Sequence, residues 1–274
     1  MIENKKVLVT GACGSIGSEL ARQVLKHNPK EVFVLDHEET LLFDLWETDP
    51  NKYTPILADI KDKEDIEKWV NKYKPDIIMH CAAYKHVVMG EKFPAIFEQT
   101  NVEGTRNLVD SALKNKVKSF VLISTDKAVN PECVMGRTKR AAEKITQKAG
   151  YVVVRFGNVL ASRGSVIEIW RRQIEQNKNI TVTHPDMRRY FMSIPQACKL
   201  ILQAERVGNP GEIIVLDMGE PMRIYDLAKT VLKLSGRDLD IEITQPKKGE
   251  KLFEQLIQED EVVEKRGKLF IVKK

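Results

Sequence analysis

Cysteine is scarce in this chain: Cys13, Cys81, Cys133 and Cys198 are the only four among 274 residues. They are scattered, with neither the paired spacing of a metal site nor the density of a disulfide scaffold. Small buried thiols in a reducing cytosol are the expectation, and no metal is expected. Long apolar runs are also missing; none approaches the ~20 residues that a membrane span needs. The first six residues lead straight into a strand-like Val7–Thr10, which does not fit a signal peptide, so a cytoplasmic protein is expected. Charge of one sign is lacking too. The 44 Lys and Arg against 39 Asp and Glu give +5, with the signs interleaved. That balance demands no nucleic acid, and a basic pocket for a small anion is enough to account for it. There is no internal repeat, low-complexity tract or Gly/Ser linker.

What is present is an alternation of short β-branched runs with helical patterns. Val7–Thr10, Glu31–Asp36, Pro55–Ala58, Asp76–Cys81, Ser119–Ile123 and Tyr151–Phe156 read as strands. Between them, Ile16, Leu20 and Val24 mark one helix, and Ile66, Trp69, Val70 and Tyr73 another. Val102, Leu108, Val109, Ala112 and Leu113 mark a third, and Gly136–Gln147 forms a fourth. Strands alternating with helices imply an α/β fold, a doubly wound parallel sheet of Rossmann type. After about residue 160 the rhythm breaks into Arg- and Pro-containing stretches around helices near 166–176, 195–206 and 224–234 and a strand at 211–216. The expected division is a dinucleotide-binding domain over 1–160 and a smaller C-terminal substrate-binding subdomain over 161–274. Segments at about 195–220 are expected to return to the first domain.

Gly11-Ala-Cys-Gly14-Ser-Ile-Gly17 lies between a predicted strand and a predicted helix. Glycines there permit a tight turn and let a pyrophosphate approach the N–H groups of a helix N-terminus. Asp36 ends the next strand, about twenty residues on, where an acid can hold a ribose 2′-hydroxyl and repel a 2′-phosphate. The plainer reading of Asp36 is a cap at a strand end. Asp59 and Ile60 follow the third strand, at the level of an adenine. Ser124-Thr125-Asp126-Lys127 follows Ile123 at a strand's carboxyl end, where doubly wound folds place their ligands. A carboxylate beside an amine can supply acid and base; a solvated polar loop is the alternative.

These motifs form part of an ordered series. His80–His86, Asn101–Thr105, Ser124–Pro131, Arg155–Val159 and Ser162–Val166 continue it, as do Val182–Asp186, Arg189–Met192, Leu216–Glu220 and Gly249–Leu252. From about residue 5 to 255 the series resembles the extended short-chain dehydrogenases/reductases. Within them it is similar to the polysaccharide-biosynthesis branch of UDP-N-acetylglucosamine 4,6-dehydratases, here as a member without the transmembrane region of larger ones. The resemblance implies NAD as a catalytic cofactor: carbon 4 of the sugar is oxidised, water leaves across carbons 5 and 6, and carbon 6 is reduced. It also implies a UDP-sugar substrate and a homo-oligomer in which helices over 100–115 and 136–147 pair with a neighbour's.

Carried over residue by residue, the resemblance makes Asp126 the acid for the departing hydroxyl and Lys127 the base at carbon 5. Thr125 falls near the carbon 4 oxygen, and Lys139 at the nicotinamide ribose. Met135 stands where the wider superfamily has a tyrosine, four residues before that lysine. A thioether cannot titrate, so Thr125, Lys127 or a water is expected to take the hydroxyl proton. Gly11, Gly14, Ser15, Ile16, Gly17, Asp36, Asp59, Ile60, Ala82, Ala83 and Asn101 are the implied cofactor contacts. Lys85, His86, Asn158, Val159, Arg163, Ser165, Arg189 and Glu250 are the implied substrate contacts, whereas His184 reads as a loop residue. The chain departs from the family pattern at Gly90, at Arg188 and at Lys247-Lys248, and its C-terminal part is short, which implies a reduced lid. A nucleotide-sugar 4-epimerase or reductase is one alternative. A non-catalytic dinucleotide sensor is another; it has no need of Asp126, Lys127 and Lys139 together.

Overall fold

The computed structural model describes residues 2–273. Its first part contains β1 (Lys6–Thr10), α1 (Ser15–Leu25), β2 (Glu31–Asp36), α2 (Glu39–Glu47), β3 (Tyr53–Leu57), α3 (Lys63–Tyr73) and β4 (Ile77–His80). There follow α4 (Val87–Lys92), α5 (Pro94–Glu98), a π-helical turn (Gln99–Glu103), α6 (Gly104–Lys114), β5 (Ser119–Ile123), α7 (Val134–Lys148) and β6 (Val152–Arg155). The strands run parallel in the order β3-β2-β1-β4-β5-β6. Chain direction across the sheet reverses between β1 and β4, which opens a crevice at their carboxyl ends.

Burial on both faces explains the unbroken apolar runs. Side chains alternate across a strand, so Val7 and Val9 enter one core with Leu20, Ala21 and Val24 of α1. Leu8 enters the other, with Ile66 and Val70 of α3 and Leu108 of α6. Helix α3 starts where the Asp62 carboxylate accepts the Asp65 N–H and stops at left-handed Lys74.

The rest of the chain runs β7 (Asn158–Val159), α8 (Val166–Glu175), β8 (Ile180–Val182), β9 (Arg188–Arg189), β10 (Phe191–Met192) and α9 (Ile194–Val207). It ends with β11 (Ile213–Leu216), β12 (Met222–Arg223), α10 (Ile224–Ser235), β13 (Ile241–Ile243), β14 (Val263–Arg266) and β15 (Leu269–Val272). Trp170, Ile180, Val182, Met187, Ile224 and Ala228 form a separate small core. Helix α9 packs into the first core instead, and β11 extends the sheet parallel to β6. The β14–β15 hairpin closes that edge antiparallel, giving a central sheet of nine strands among the described residues. The strand reading of the sequence omits this hairpin, although β15 is an apolar run, Leu-Phe-Ile-Val. β14 reads Val-Glu-Lys-Arg because it is an edge strand, where charge is tolerated and blocks further pairing.

Candidate active site

The glycine turn is shaped by close backbone contact. Gly11 has φ +63°, and a Cβ there would lie 2.6 Å from the Ala82 backbone; one on Gly17 would lie 2.1 Å from the Gly11 carbonyl oxygen. Only hydrogen fits at either place, so α1 begins hard against the turn with the N–H groups of its first residues, Ser15, Ile16 and Gly17, unused within the helix. Asp36 is buried at the end of β2; its carboxylate accepts the Cys13 N–H at 2.9 Å and the N–H groups of His37 and Glu38. This cradle fits a dinucleotide: anion-binding N–H groups, glycines at the points of closest backbone approach, and an acid one strand over. Asp59 is half-buried and accepts the Lys61 N–H. The Ile60 side chain is in the core over Gly104, so it offers a cofactor only backbone.

A buried hydrogen-bonded chain fixes the floor of the crevice. Ala82 N–H donates to Thr10 Oγ1. Thr105 Oγ1 donates to the Asn101 carbonyl and therefore accepts from His80 Nε2, leaving Nδ1 to accept from Thr10 at 2.7 Å. Burial, with Lys139 nearby, lowers the His80 pKa to about 3, so the ring stays neutral. His80 opens the His80–His86 motif, which assigns it no role. Asn101, implied by the resemblance as a cofactor contact, is spent differently. It accepts the Tyr84 N–H and donates to the Tyr84 carbonyl and Thr138 Oγ1, bracing the loop that holds Ala82 and Ala83 against α7. Its place in a π-helical turn is what aims the amide at that loop.

The chemical cluster sits past β5. Asp126 is fully buried; Oδ1 accepts from Thr125 Oγ1 and from Lys127 Nζ, both at 2.9 Å. Oδ2 has no partner. Gly157 makes room for it, since a Cβ there would approach within 3.2 Å. Lys127 also faces Glu254 Oε1 at 3.6 Å. Desolvation disfavours its charge, but the Asp126 and Glu254 carboxylates outweigh that and hold its pKa above the usual value. Lys139 is buried on α7 and donates to the Ile123 carbonyl at 2.6 Å. Burial, partly offset by Glu143 and Cys81, lowers its pKa to about 8. Met135 lies in an apolar cluster with Phe97 and Cys133, against Tyr84.

A buried ion pair holds this cluster in place. Glu143, one turn beyond Lys139, takes two bonds from Arg155 at 2.8 and 2.9 Å and one from Ser124 Oγ at 2.7 Å, next to Thr125. Arg155 is fully buried and also binds both Glu261 oxygens. Glu261 ends a strap, residues 250–261, that lies over the site. Lys251 reaches the carbonyls of Val129 and Asn130, and Gln255 and Gln258 bond Asn130. The short C-terminal part thus does cover the site, and it delivers Glu254. Sequence motifs miss Glu254 because the nearest one, Gly249–Leu252, stops two residues short.

The implied substrate residues divide. Arg189 is implied as a diphosphate contact, but its guanidinium is committed to the carbonyls of Arg188, Lys251 and Leu252 and clamps the strap. Glu250 accepts the Lys247 N–H in the turn before it. Lys85 and His86 do converge with the 163–165 loop: Lys85 Nζ donates to the Arg163 carbonyl, and the His86 ring covers Gly164. The Arg163 N–H donates to Ser15 Oγ, so this loop touches the glycine turn. The Ser165 hydroxyl is buried with no partner. Asn158 and Val159 lie in β7, beside β10, and His184 accepts the Asp186 N–H as a loop residue. Among the described residues, no group of three or more His, Cys, Asp or Glu is arranged to hold a metal, and no helix is long and apolar enough to cross a membrane.

Strand order, glycine turn and the Lys139 helix together define a Rossmann protein of the short-chain dehydrogenase/reductase type. The chain belongs to the polysaccharide biosynthesis protein family, which it matches over residues 7–273. It is 46% identical over 277 residues to the capsular polysaccharide biosynthesis protein CapD of Staphylococcus aureus, covering 95% of this chain and 46% of that one. The chain thus spans about half the length of that relative. It is 32% identical to a UDP-glucose 4-epimerase of Rickettsia felis, covering 96% of this chain and 80% of that one. Among solved structures, Pen from Bacillus thuringiensis matches with a TM-score of 0.94 at 32% identity, covering 99% of this chain and 90% of that one. DesIV, a dTDP-glucose 4,6-dehydratase from Streptomyces venezuelae with NAD and TYD bound, matches at 0.83 and 21% identity, covering 92% and 88%; this likeness is one of fold.

Proposed function

We propose that the chain is an NAD-dependent nucleotide-sugar 4,6-dehydratase that converts UDP-N-acetylglucosamine to a UDP-4-keto-6-deoxy sugar for surface polysaccharide or glycan biosynthesis. The observation that carries this reading is the buried Asp126–Lys127 pair, 2.9 Å apart, with no titratable group at Met135. Bound NAD would supply a reversible hydride acceptor between carbon 4 and carbon 6, with no net oxidation. Gly11, Gly14, Ser15, Ile16 and Gly17 would hold its pyrophosphate, Asp36 its adenosine ribose, and Lys139 its nicotinamide ribose. Thr125 Oγ1 gives its proton to Asp126 and takes one from the carbon 4 hydroxyl, a path supported by their 2.9 Å bond. Asp126, so armed, protonates the carbon 6 hydroxyl as Lys127 removes the proton on carbon 5. Lys85 and Arg163 face the diphosphate. The protein works as a cytoplasmic homo-oligomer paired through α6 and α7.

The second reading is a nucleotide-sugar 4-epimerase, favoured by the 32% identity to the Rickettsia felis protein of that name. Proton NMR of the product in heavy water separates the two. A dehydratase gives a carbon 6 methyl group and deuterium at carbon 5. An epimerase gives the 4-epimer, unlabelled, with its carbon 6 hydroxyl intact. Dinucleotide titration tests Asp36: NAD binds more tightly than NADP, and equal affinities overturn that assignment.

A further inference from the structure

A base must be unprotonated when it acts, yet Lys127 stands between two carboxylates that keep its proton on. Asp126 cannot relieve it, because as the acid for carbon 6 it must already carry a proton of its own. The remaining neighbour is Glu254. Its Oε1 is 3.6 Å from Lys127 Nζ, the residue is 8% exposed, and Oε2 has no hydrogen-bond partner. The strap that carries it is tied down on both sides, by Arg189 holding Lys251 and Leu252 and by Arg155 holding Glu261. Such anchoring presents one carboxylate to one amine.

We propose that Glu254 is a positioning residue for proton transfer: it takes the proton from Lys127 and thereby frees Lys127 to act as the base at carbon 5. This rests on the dehydratase reading. The protons balance over the cycle. The resting cluster holds one proton, on Lys127. The carbon 4 hydroxyl adds a second, which reaches Asp126 through Thr125. Lys127 then passes its proton to Glu254 and takes the one from carbon 5. Asp126 releases its proton to the carbon 6 oxygen, which leaves as water. Lys127 returns a proton to carbon 5 as carbon 6 is reduced, and the Glu254 proton goes back to Lys127. Glu254 is suited to this role because burial raises its pKa, against the opposing pull of Lys127, Arg189 and Lys251, and the burial persists after Asp126 has taken its own proton; in the resting cluster the Asp126 charge adds to it. A carboxyl so raised can share a proton with a neighbouring amine.

Glu254→Gln keeps the shape and loses the proton site. In this variant the bound dinucleotide becomes reduced on adding substrate, but deuterium exchange at carbon 5 falls about 10²-fold at pH 7. The remaining rate climbs about tenfold per pH unit, since Lys127 must then lose its proton to solvent. Glu254→Asp restores most of the exchange. A second readout needs neither substrate nor cofactor: carbon-13 NMR of glutamate-labelled protein, with Glu254→Gln identifying the resonance. Glu254 titrates above the ordinary glutamate range, lower in Asp126→Asn and higher in Lys127→Met. Wild-type exchange with an unchanged pH profile in Glu254→Gln overturns the role of Glu254. So does a Glu254 that titrates normally and ignores Asp126. An unmodified protein that yields no 4-keto-6-deoxy product overturns the dehydratase reading, and this proposal with it.

Discussion

Gly11–Gly17 and Thr125–Lys127 each follow a parallel strand, β1 and β5, on either side of β4, but they are built by different means. The first is set by backbone shape within one strand–turn–helix unit, through places where a Cβ has no room. The second is set by charge: Lys127 lies between Asp126 and Glu254, and Glu143 and Arg155 hold α7 and the strap against the sheet. A phosphate cradle needs N–H groups fixed in space, which a turn supplies alone. Proton transfer needs opposed charges taken out of water, which only distant parts of a chain can enclose.

The comparison can be broken from either side. Asp126→Asn has the largest expected effect, a fall of about 10²–10⁴ in elimination. The variant also slows reduction of the bound dinucleotide on a stopped-flow record, because the carbon 4 hydroxyl proton loses its route through Thr125 to Asp126; Glu254→Gln still reduces the dinucleotide and loses only the exchange at carbon 5. Next is Arg155→Met, which leaves buried Glu143 with only Ser124 and the partly exposed Arg140 and takes the partner from Glu261; it costs about 3 kcal/mol of stability in urea unfolding. Adding Glu143→Leu recovers part of that loss, because the fully buried carboxylate is then gone, while Glu261, at 11% exposure, stays without Arg155.

Gly17→Ala tests the turn. Pushing α1 off the Gly11 carbonyl costs about 1–3 kcal/mol, read as weaker dinucleotide binding by calorimetry with the melting temperature as control. Met135→Leu, a near volume-conserving swap, costs less than about 1.5 kcal/mol in thermal unfolding. The smallest effect is that of pH on Lys139. It is charged below about pH 8 and neutral above, so dinucleotide affinity falls less than tenfold as pH rises through 8. In Lys139→Met that dependence disappears.

Much of the fold was legible because its signals are local. β2 and β5 begin and end where the apolar runs do, and α1 starts at the last turn of the glycine pattern. Asp126, Lys127 and Lys139 stand in short motifs. Asn101 and Arg189 point to ligands in the sequence, since a sequence does not reveal that an amide or guanidinium is already spent on the chain's own carbonyls. Glu254 left no signal at all: the strap has neither helical nor strand periodicity, and its value lies in where it docks.

The sequence by itself determined the alternation of strands and helices up to β6, the glycine turn and the placing of Asp126 beside Lys127 after β5. These depend on side-chain volume, φ freedom and apolar periodicity over a few residues. The tertiary structure alone decided that Glu254 meets Lys127, that Glu143 and Arg155 neutralise each other in the core, and that the β14–β15 hairpin closes the sheet. Each of these joins groups far apart in the chain, and each is favourable only after folding has removed the water between them.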